Sequence, residues 1–196
     1  VTKDYCAGCG LHRQACFCEQ IPRLGSELNL SLITHPREIQ RSSNTGKLLL
    51  AAMPRSRRLI WQRGEPLEFD PSEAAVLLYP YQIACEYRLK QNLARPKLTE
   101  RVDINRHFIV IDGTWQEAHK IYRQSPVLQQ LDILQLPERR SQYQLRRNQQ
   151  AGNLSTIEAV AAIFSSLGWS DNAKALMECQ AQFARYYQAS LSGHSL

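Results

Sequence analysis

Short apolar runs alternate with polar stretches of helical spacing along this chain, and that alternation predicts strands separated by helices. The segment 28–34 (LNLSLIT) is rich in β-compatible residues and stops at His35-Pro36, where proline removes a backbone donor, so it predicts the first strand. From Pro36 the pattern turns helical, is interrupted by the polar Asn44-Thr45-Gly46, resumes at Lys47 and ends before Pro54. Residues 58–62 (RLIWQ) predict a short strand, and 74–79 (AAVLLY) a buried strand closed by Pro80. The stretch 86–105 is mainly polar, carries Pro96 and reads as an excursion or lid, long for a connection in a compact domain.

The next unit is the clearest. Residues 108–111 (FIVI) form a short apolar strand, Asp112-Gly113 marks a sharp turn, and 114–122 has helical spacing. Thr114-Trp115-Gln116-Glu117 fits a capping box, in which the threonine hydroxyl accepts from a backbone amide while the glutamate folds back onto the cap. Asp112 is thereby set between the carboxyl end of a strand and the start of a helix. Residues 133–136 predict another short strand, and the basic stretch 139–147 follows it. Ser155-Thr156-Ile157-Glu158 repeats the capping box and opens an alanine-rich helix through 167; a last helix spans about 171–191. The fold class expected is α/β, a mostly parallel sheet flanked by helices.

Composition adjusts this picture in two places. The 24 basic against 18 acidic side chains leave a net charge of +6, an excess that suits an anionic partner such as nucleic acid, with no extreme bias toward DNA. No run approaches the ~18 apolar residues of a membrane span and the N-terminus shows no apolar signal segment, so a soluble, cytoplasmic protein is expected; the sequence leaves its oligomeric state open, with the monomer favoured.

Four of the six cysteines, Cys6, Cys9, Cys16 and Cys18, lie within thirteen residues. In a reducing compartment a CxxC pair followed by CxC is better read as four thiolates around one structural zinc than as disulfides, a redox-active cluster being the competing reading. Residues 1–25 are therefore expected to form a small four-cysteine zinc module ahead of a main domain at 26–196.

Ligands in open α/β sheets bind beyond the carboxyl ends of strands. The junctions there are 35–44, 79–81 and 112–115, with the helix start at Leu154-Ser155-Thr156 as a fourth. There is no GxGxxG, no GxxxxGK[ST] and no GxSxG, which removes the dinucleotide, P-loop and nucleophile-elbow readings but leaves room for a ligand without a phosphate to cradle. Asp112 could act as a general base or simply form a turn, and Trp115 could stack on a base or pack into the core. Arg37, Arg41, Lys47, Arg139, Arg140, Arg146 and Arg147 are candidate phosphate contacts, and Asn44 and Thr45 could read a base edge.

Several of these segments, in order along the chain, resemble the motifs of the DTW-domain family. Asp112-Gly113-Thr114-Trp115 resembles its Asp-x-Thr-Trp signature, 35–46 (HPREIQRSSNTG) its HPxExxRxxNTG segment, Leu78-Tyr79-Pro80 its strand-ending YP element, and 154–159 (LSTIEA) its helix start. Ser42-Ser43 departs slightly from that pattern. The resemblance implies a tRNA-uridine aminocarboxypropyltransferase that uses S-adenosylmethionine, related to SPOUT-like enzymes with a carboxyl-terminal trefoil knot, here the stretch from Asp112 through the Ser155 helix. On that reading the residues expected in catalysis are Asp112, as the carboxylate beside uracil N3, and Trp115. Leu78, Tyr79, Pro80, Gly113, Thr114, Leu154, Ser155 and Thr156 would bind the cofactor, and Arg37, Arg41, Asn44, Thr45, Lys47 and Arg146 the tRNA. The competing activities are methyl transfer from the same cofactor and RNA binding without turnover.

Overall fold

The computed structural model describes residues 4–25, 27–69, 74–136 and 154–192. Six strands, β1 (Leu30–Thr34), β2 (Arg57–Ile60), β3 (Ala75–Leu78), β4 (Leu98–Thr99), β5 (His107–Asp112) and β6 (Asp132–Leu134), pair in the order β2-β1-β5-β3-β6-β4. Every pairing is parallel, as the alternation of strands and helices predicts. The helices are α1 (Pro36–Ile39), α2 (Thr45–Ala52), α3 (Tyr81–Lys90), α4 (Trp115–Gln124), α5 (Pro126–Gln129), α6 (Thr156–Ser166) and α7 (Ser170–Ser192). None of the described helices is long and apolar enough to cross a membrane.

The chain divides into two compact units. One comprises Ser26–Glu38 and Arg55–Pro137, and holds the whole sheet with α3, α4 and α5. Its core lies on one sheet face, where Ile33, Leu77, Tyr79, Ile109 and Ile133 meet Ile121 and Tyr122 of α4 and Leu128 of α5. By strand alternation the opposite face carries Leu30, Leu32, Thr34, Val76, Phe108, Val110 and Asp112, all of them buried. Arg106 ties strand starts together, its guanidinium donating to the carbonyls of Ala74 and Ala75 and to the Asp132 carboxylate at 2.9 Å.

The other unit comprises Val1–Gly25, Ile39–Pro54 and Glu138–Leu196, so the cysteine segment lies in one compact body with α2, α6 and α7. Helix α6 is buried from Thr156 through Phe164, as its run of alanines and large apolar residues requires. Phe17 anchors the cysteine segment on α7, with its ring centroid 5.6 Å from that of Phe183 and 5.0 Å from that of Tyr186. Both capping boxes are formed. At α6, Ser155 Oγ accepts from the Glu158 amide at 3.2 Å and donates to buried Gln180 Oε1 at 2.7 Å, while Glu158 Oε2 accepts from the Ser155 amide. Ser155→Ala removes the cap and strands the Gln180 carbonyl, so the denaturation midpoint should fall by an amount equal to about 1–3 kcal/mol with an unchanged denaturant slope. Urea unfolding checks this; a loss below ~0.5 kcal/mol would show that the cap adds nothing here.

Three expectations are corrected. The polar 86–105 stretch is not one excursion: its first part completes α3 and its middle forms edge strand β4. Helix α3 leaves no periodic signal in the sequence because it buries only Ala84 and Cys85 and so has no apolar stripe. Asn44-Thr45-Gly46 is no mid-helix interruption, since Asn44 Oδ1 accepts from the Lys47 amide at 3.0 Å and α2 begins at Thr45. Asp112 is the last residue of β5, not the first of a turn. The basic stretch 139–147, the path of the expected knot through 137–153 and the end of the tail lie outside the described residues.

Candidate active site and metal centre

The chain leaves β1 toward β2 on one side of the sheet and leaves β5 toward β6 on the other, so the β1/β5 pair is where the strand order reverses. That is the place where parallel sheets bind ligands. Thr34 of β1 lies in register with Asp112 of β5, and the His35 amide donates to the Asp112 carbonyl at 3.0 Å. Thr34 and Asp112 are fully buried on the same face, and Thr34 Oγ1 has no hydrogen-bond partner among the described residues. A buried hydroxyl without a partner costs about 1–3 kcal/mol, the kind of cost a fold carries where a ligand group completes the bond.

Gly113 then lets the chain turn tightly into α4. A Cβ there would lie 3.1 Å from Glu117 Cβ, so any side chain would push on the glutamate that completes the capping box. Glu117 Oε2 accepts from both the amide and the hydroxyl of Thr114, at 2.8 and 2.7 Å, and the Glu117 amide donates back to Thr114 Oγ1. The Thr114 hydroxyl is thus engaged in capping, and it is the position of the chain, not this side chain's reach, that Thr114 supplies. Glu117 Oε1 lies 3.4 Å from Nδ1 of buried His35, which also accepts from the exposed Arg37's amide at 3.3 Å. The Arg37 contact needs an unprotonated Nδ1 and the Glu117 contact a protonated one, so the ring's tautomer decides which is made. Trp61 stacks on His35 at 5.6 Å and 25°, and its indole donates to Ser125 Oγ. The capping box is legible in the sequence, whereas the contacts of His35 with Glu117 and Trp61, and of Trp61 with Ser125, are not.

Trp115 belongs to a different group. It opens α4 and, with His119 and Tyr122 on successive turns, packs around Tyr79 just beyond β3: Trp115 lies 6.0 Å from Tyr79 at 20°, and Tyr122 4.5 Å from Tyr79 at 18°. Leu78 ends β3, Pro80 caps α3, and Trp115 stays half-buried while Tyr79 and Tyr122 are buried. Burial, reinforced by the neighbouring Tyr122 hydroxyl, raises the Tyr79 pKa, and burial pushes Tyr122 up to about 12. Burial also lowers the His119 pKa, helped by the Arg123 charge, which favours the neutral imidazole. Tyr122 OH and His119 Nε2 have no hydrogen-bond partner among the described residues. Tyr79 sits on the sheet face opposite that of Asp112, so the structure separates Asp112 from the aromatic group that Trp115 joins. The signal that could have found His119 and Tyr122 is their spacing from Trp115, which puts all three on one helix face.

The remaining predicted residues lie in the helical unit. Asn44 and Thr45 are buried at the start of α2, and Thr45 Oγ1 lacks a hydrogen-bond partner among the described residues. Lys47 is half-buried, with Nζ donating to the Arg41 carbonyl at 2.9 Å. Leu154 is half-buried and Ser155 and Thr156 are buried at the start of α6. Arg146 lies outside the described residues.

The four cysteines come together in the same unit, their sulfur atoms all within 4.8 Å of one another. Cys6 and Cys18 sulfurs are 3.5 Å apart, Cys6 and Cys16 3.5 Å, and Cys9 and Cys16 4.0 Å. Tetrahedral zinc with bonds of ~2.3 Å to sulfur requires sulfur separations of about 3.8 Å, so the cage fits. The Phe17 amide donates to Cys9 Sγ, and Gly8 is needed because a Cβ would lie 2.7 Å from Cys18 Sγ. The thiols do not ionise alike by themselves: the Cys9 backbone amide draws Cys6 down to about 6, while burial pushes Cys18 up. A divalent cation at the centre removes that difference by ionising every ligating thiol.

Comparison with known proteins follows the same lines. Over 177 residues the chain is 24% identical to tRNA-uridine aminocarboxypropyltransferase 2 of Drosophila melanogaster, covering 84% of this chain and 67% of that protein. It is 29% identical over 173 residues to tRNA-uridine aminocarboxypropyltransferase 2 of Macaca fascicularis, covering 83% of this chain and 56% of that protein. It therefore spans only part of the length of these curated relatives. Among solved structures, the SAM-dependent rRNA:acp-transferase Tsr3 from Vulcanisaeta distributa aligns with a TM-score of 0.45 and 16% identity, over 86% of this chain and 85% of that chain. The DTW domain model matches residues 3–188, nearly the whole chain, and this chain belongs to the DTW domain family.

Proposed function

We propose that this protein is a tRNA-uridine aminocarboxypropyltransferase, moving the 3-amino-3-carboxypropyl group of S-adenosylmethionine to N3 of a tRNA uridine. The observation that carries this reading is the signature aspartate, Asp112, buried at the strand-order reversal beside the Thr34 hydroxyl, which has no hydrogen-bond partner among the described residues. N3 attacks the methionine γ-carbon in line, the N–C bond forms as the C–S bond breaks, and methylthioadenosine leaves. Neutral uracil N3 carries a proton that must go to an acceptor. Asp112 is placed to take it, or to orient the base while water takes the proton, and fixed geometry at a buried carboxylate favours both.

In this reading Leu78, Tyr79, Pro80, Gly113 and Thr114 serve the cofactor by backbone and packing, and half-buried Trp115 offers a ring face to a planar ligand. Arg37, Arg41, Lys47 and Arg146 serve tRNA phosphates, while Asn44 and Thr45 serve the base edge. A SPOUT-like knot in the carboxyl-terminal half belongs to the same proposal. So does zinc at Cys6, Cys9, Cys16 and Cys18: four protein ligands fill a tetrahedral shell and leave no open position, which makes the ion structural.

Incubation of unmodified tRNA with protein and S-adenosylmethionine, followed by mass spectrometry, tests the reaction. The expected result is tRNA heavier by the aminocarboxypropyl group with one methylthioadenosine per event. S-adenosylhomocysteine with methylated tRNA would replace the reading by methyl transfer, and tRNA binding with neither product would replace it by a binding function.

A further inference from the structure

The sequence from 39 to 64 contains no aspartate or glutamate, yet it holds Arg41, Lys47, Arg55, Arg57, Arg58 and Arg63. Four of these cations gather on and around β2, which pairs with β1 on one side and is an edge strand on the other. Arg55, Arg57 and Arg63 are exposed and Arg58 is half-buried. None of the four forms an ion pair among the described residues, and Arg58 Nε is buried without an acceptor.

Arginines on an edge strand can serve only to keep that edge from pairing with another chain. That role requires charge along the strand and nothing beyond it. Here the cations continue past the strand's end. The Trp61 amide donates to the Thr34 carbonyl at 3.0 Å, and its ring stacks on His35. Lys120 of α4 holds its ammonium 5.6 Å from the centre of the same ring, and Arg63 lies two residues further on. β2 itself, Arg57–Ile60, spans on the order of 10 Å, and Arg63 follows in a turn beyond its carboxyl end. The strand runs to the carboxyl end where Thr34 and Asp112 lie. Arg57 and Arg58 alternate to the two faces of this edge strand, so their charges flank its open rim, where a phosphodiester backbone can be met by cations from both sides.

We propose that Arg57, Arg58, Arg63 and Lys120 form a phosphate track along β2 that carries tRNA to the carboxyl end of the sheet. This rests on the tRNA reading above. The test compares wild type with the combined variant Arg57→Gln, Arg58→Gln, Arg63→Gln, binding an unmodified tRNA transcript by fluorescence anisotropy across a potassium chloride series. Each lost phosphate contact should remove about 0.7–0.9 from the slope of log affinity against log salt, so the slope should fall by about 2–3 and affinity at least tenfold. S-adenosylmethionine binding and melting temperature should stay at wild-type values. An unchanged slope and affinity would overturn the proposal.

The corresponding lysine set, Arg57→Lys, Arg58→Lys, Arg63→Lys, should bind nearly as wild type does, because a phosphate contact needs the charge. If it loses as much affinity as the glutamine set, the arginines are structural and the track is wrong. Displacement of tRNA from wild type by polyglutamate at equal charge concentration would point to an acidic protein instead and would also overturn it. Methylthioadenosine release by wild type separates the two claims: release with an unchanged slope fails only the track, and a reduced slope without release fails only the reaction.

Discussion

Asp112→Asn is expected to lower the single-turnover rate of aminocarboxypropyl transfer on the order of 10²–10⁴-fold, the usual range for losing a positioned proton acceptor. The amide keeps the shape of the carboxylate, so packing at the end of β5 is preserved. What it loses is an anionic acceptor at a fully buried position, and it gains an amino group that repels the N3 hydrogen it should receive. Binding must be measured separately, because Asp112 also lies where the cofactor would. The result that fits is near-normal affinity for S-adenosylmethionine and tRNA with a collapsed chemical step. A full-rate chemical step would remove Asp112 from the reaction, and a melting temperature that falls together with cofactor affinity would make it a fold anchor. Thr34→Val provides a graded comparison. Its hydroxyl has no partner among the described residues, so its removal should leave the melting temperature unchanged or raised and still cost transfer if a ligand completes that bond.

The features legible in the sequence are those whose partners are close along the chain. Cys6, Cys9, Cys16 and Cys18 declare themselves by spacing, and the two capping boxes join residues three apart. The strand before Asp112 stands out because a strand buried on both faces is a continuous apolar run. Thr34 facing Asp112 across a parallel pair is a different matter. It depends on strand order, which leaves no period in either segment, and the same holds for Trp61 against His35 and His35 against Glu117. The start of α2 is hidden because Gly46 argues against helix, whereas the Asn44 cap decides it. The separation of Asp112 from Tyr79 across the sheet has the same origin as the strand pairing: one residue of parity in two strands far apart in sequence decides which face each side chain takes.

Loss of the proposed zinc is the other change expected to have a large effect, and it should act on the fold rather than on the reaction. The 4–25 segment contains little regular structure beyond two short 3-10 turns, Arg13–Ala15 and Cys18–Gln20, and one bridge between Tyr5 and His12. Its own apolar contribution centres on Cys9, Leu11 and Phe17, too few residues to offset the entropy of ordering the segment without a staple. Structural zinc sites supply an apparent ~10–16 kcal/mol of binding free energy, drawn on directly when the segment folds. Cys9→Ser, at the buried ligand, should therefore cost about 3–5 kcal/mol and lower the melting temperature by on the order of 10 °C for a chain of this size. Limited proteolysis should then cut within the first twenty-five residues, since Phe17 would lose its hold on Phe183 and Tyr186. Metal analysis of wild type should find one zinc per chain, and the four cluster thiols should resist a thiol reagent until the zinc is chelated. A zinc-free protein with the same melting temperature and four reactive thiols would favour the redox reading. Because no ligand position is left open, any chains that stay folded after chelation should keep their chemical rate, and a rate abolished in intact protein would place the metal in the reaction.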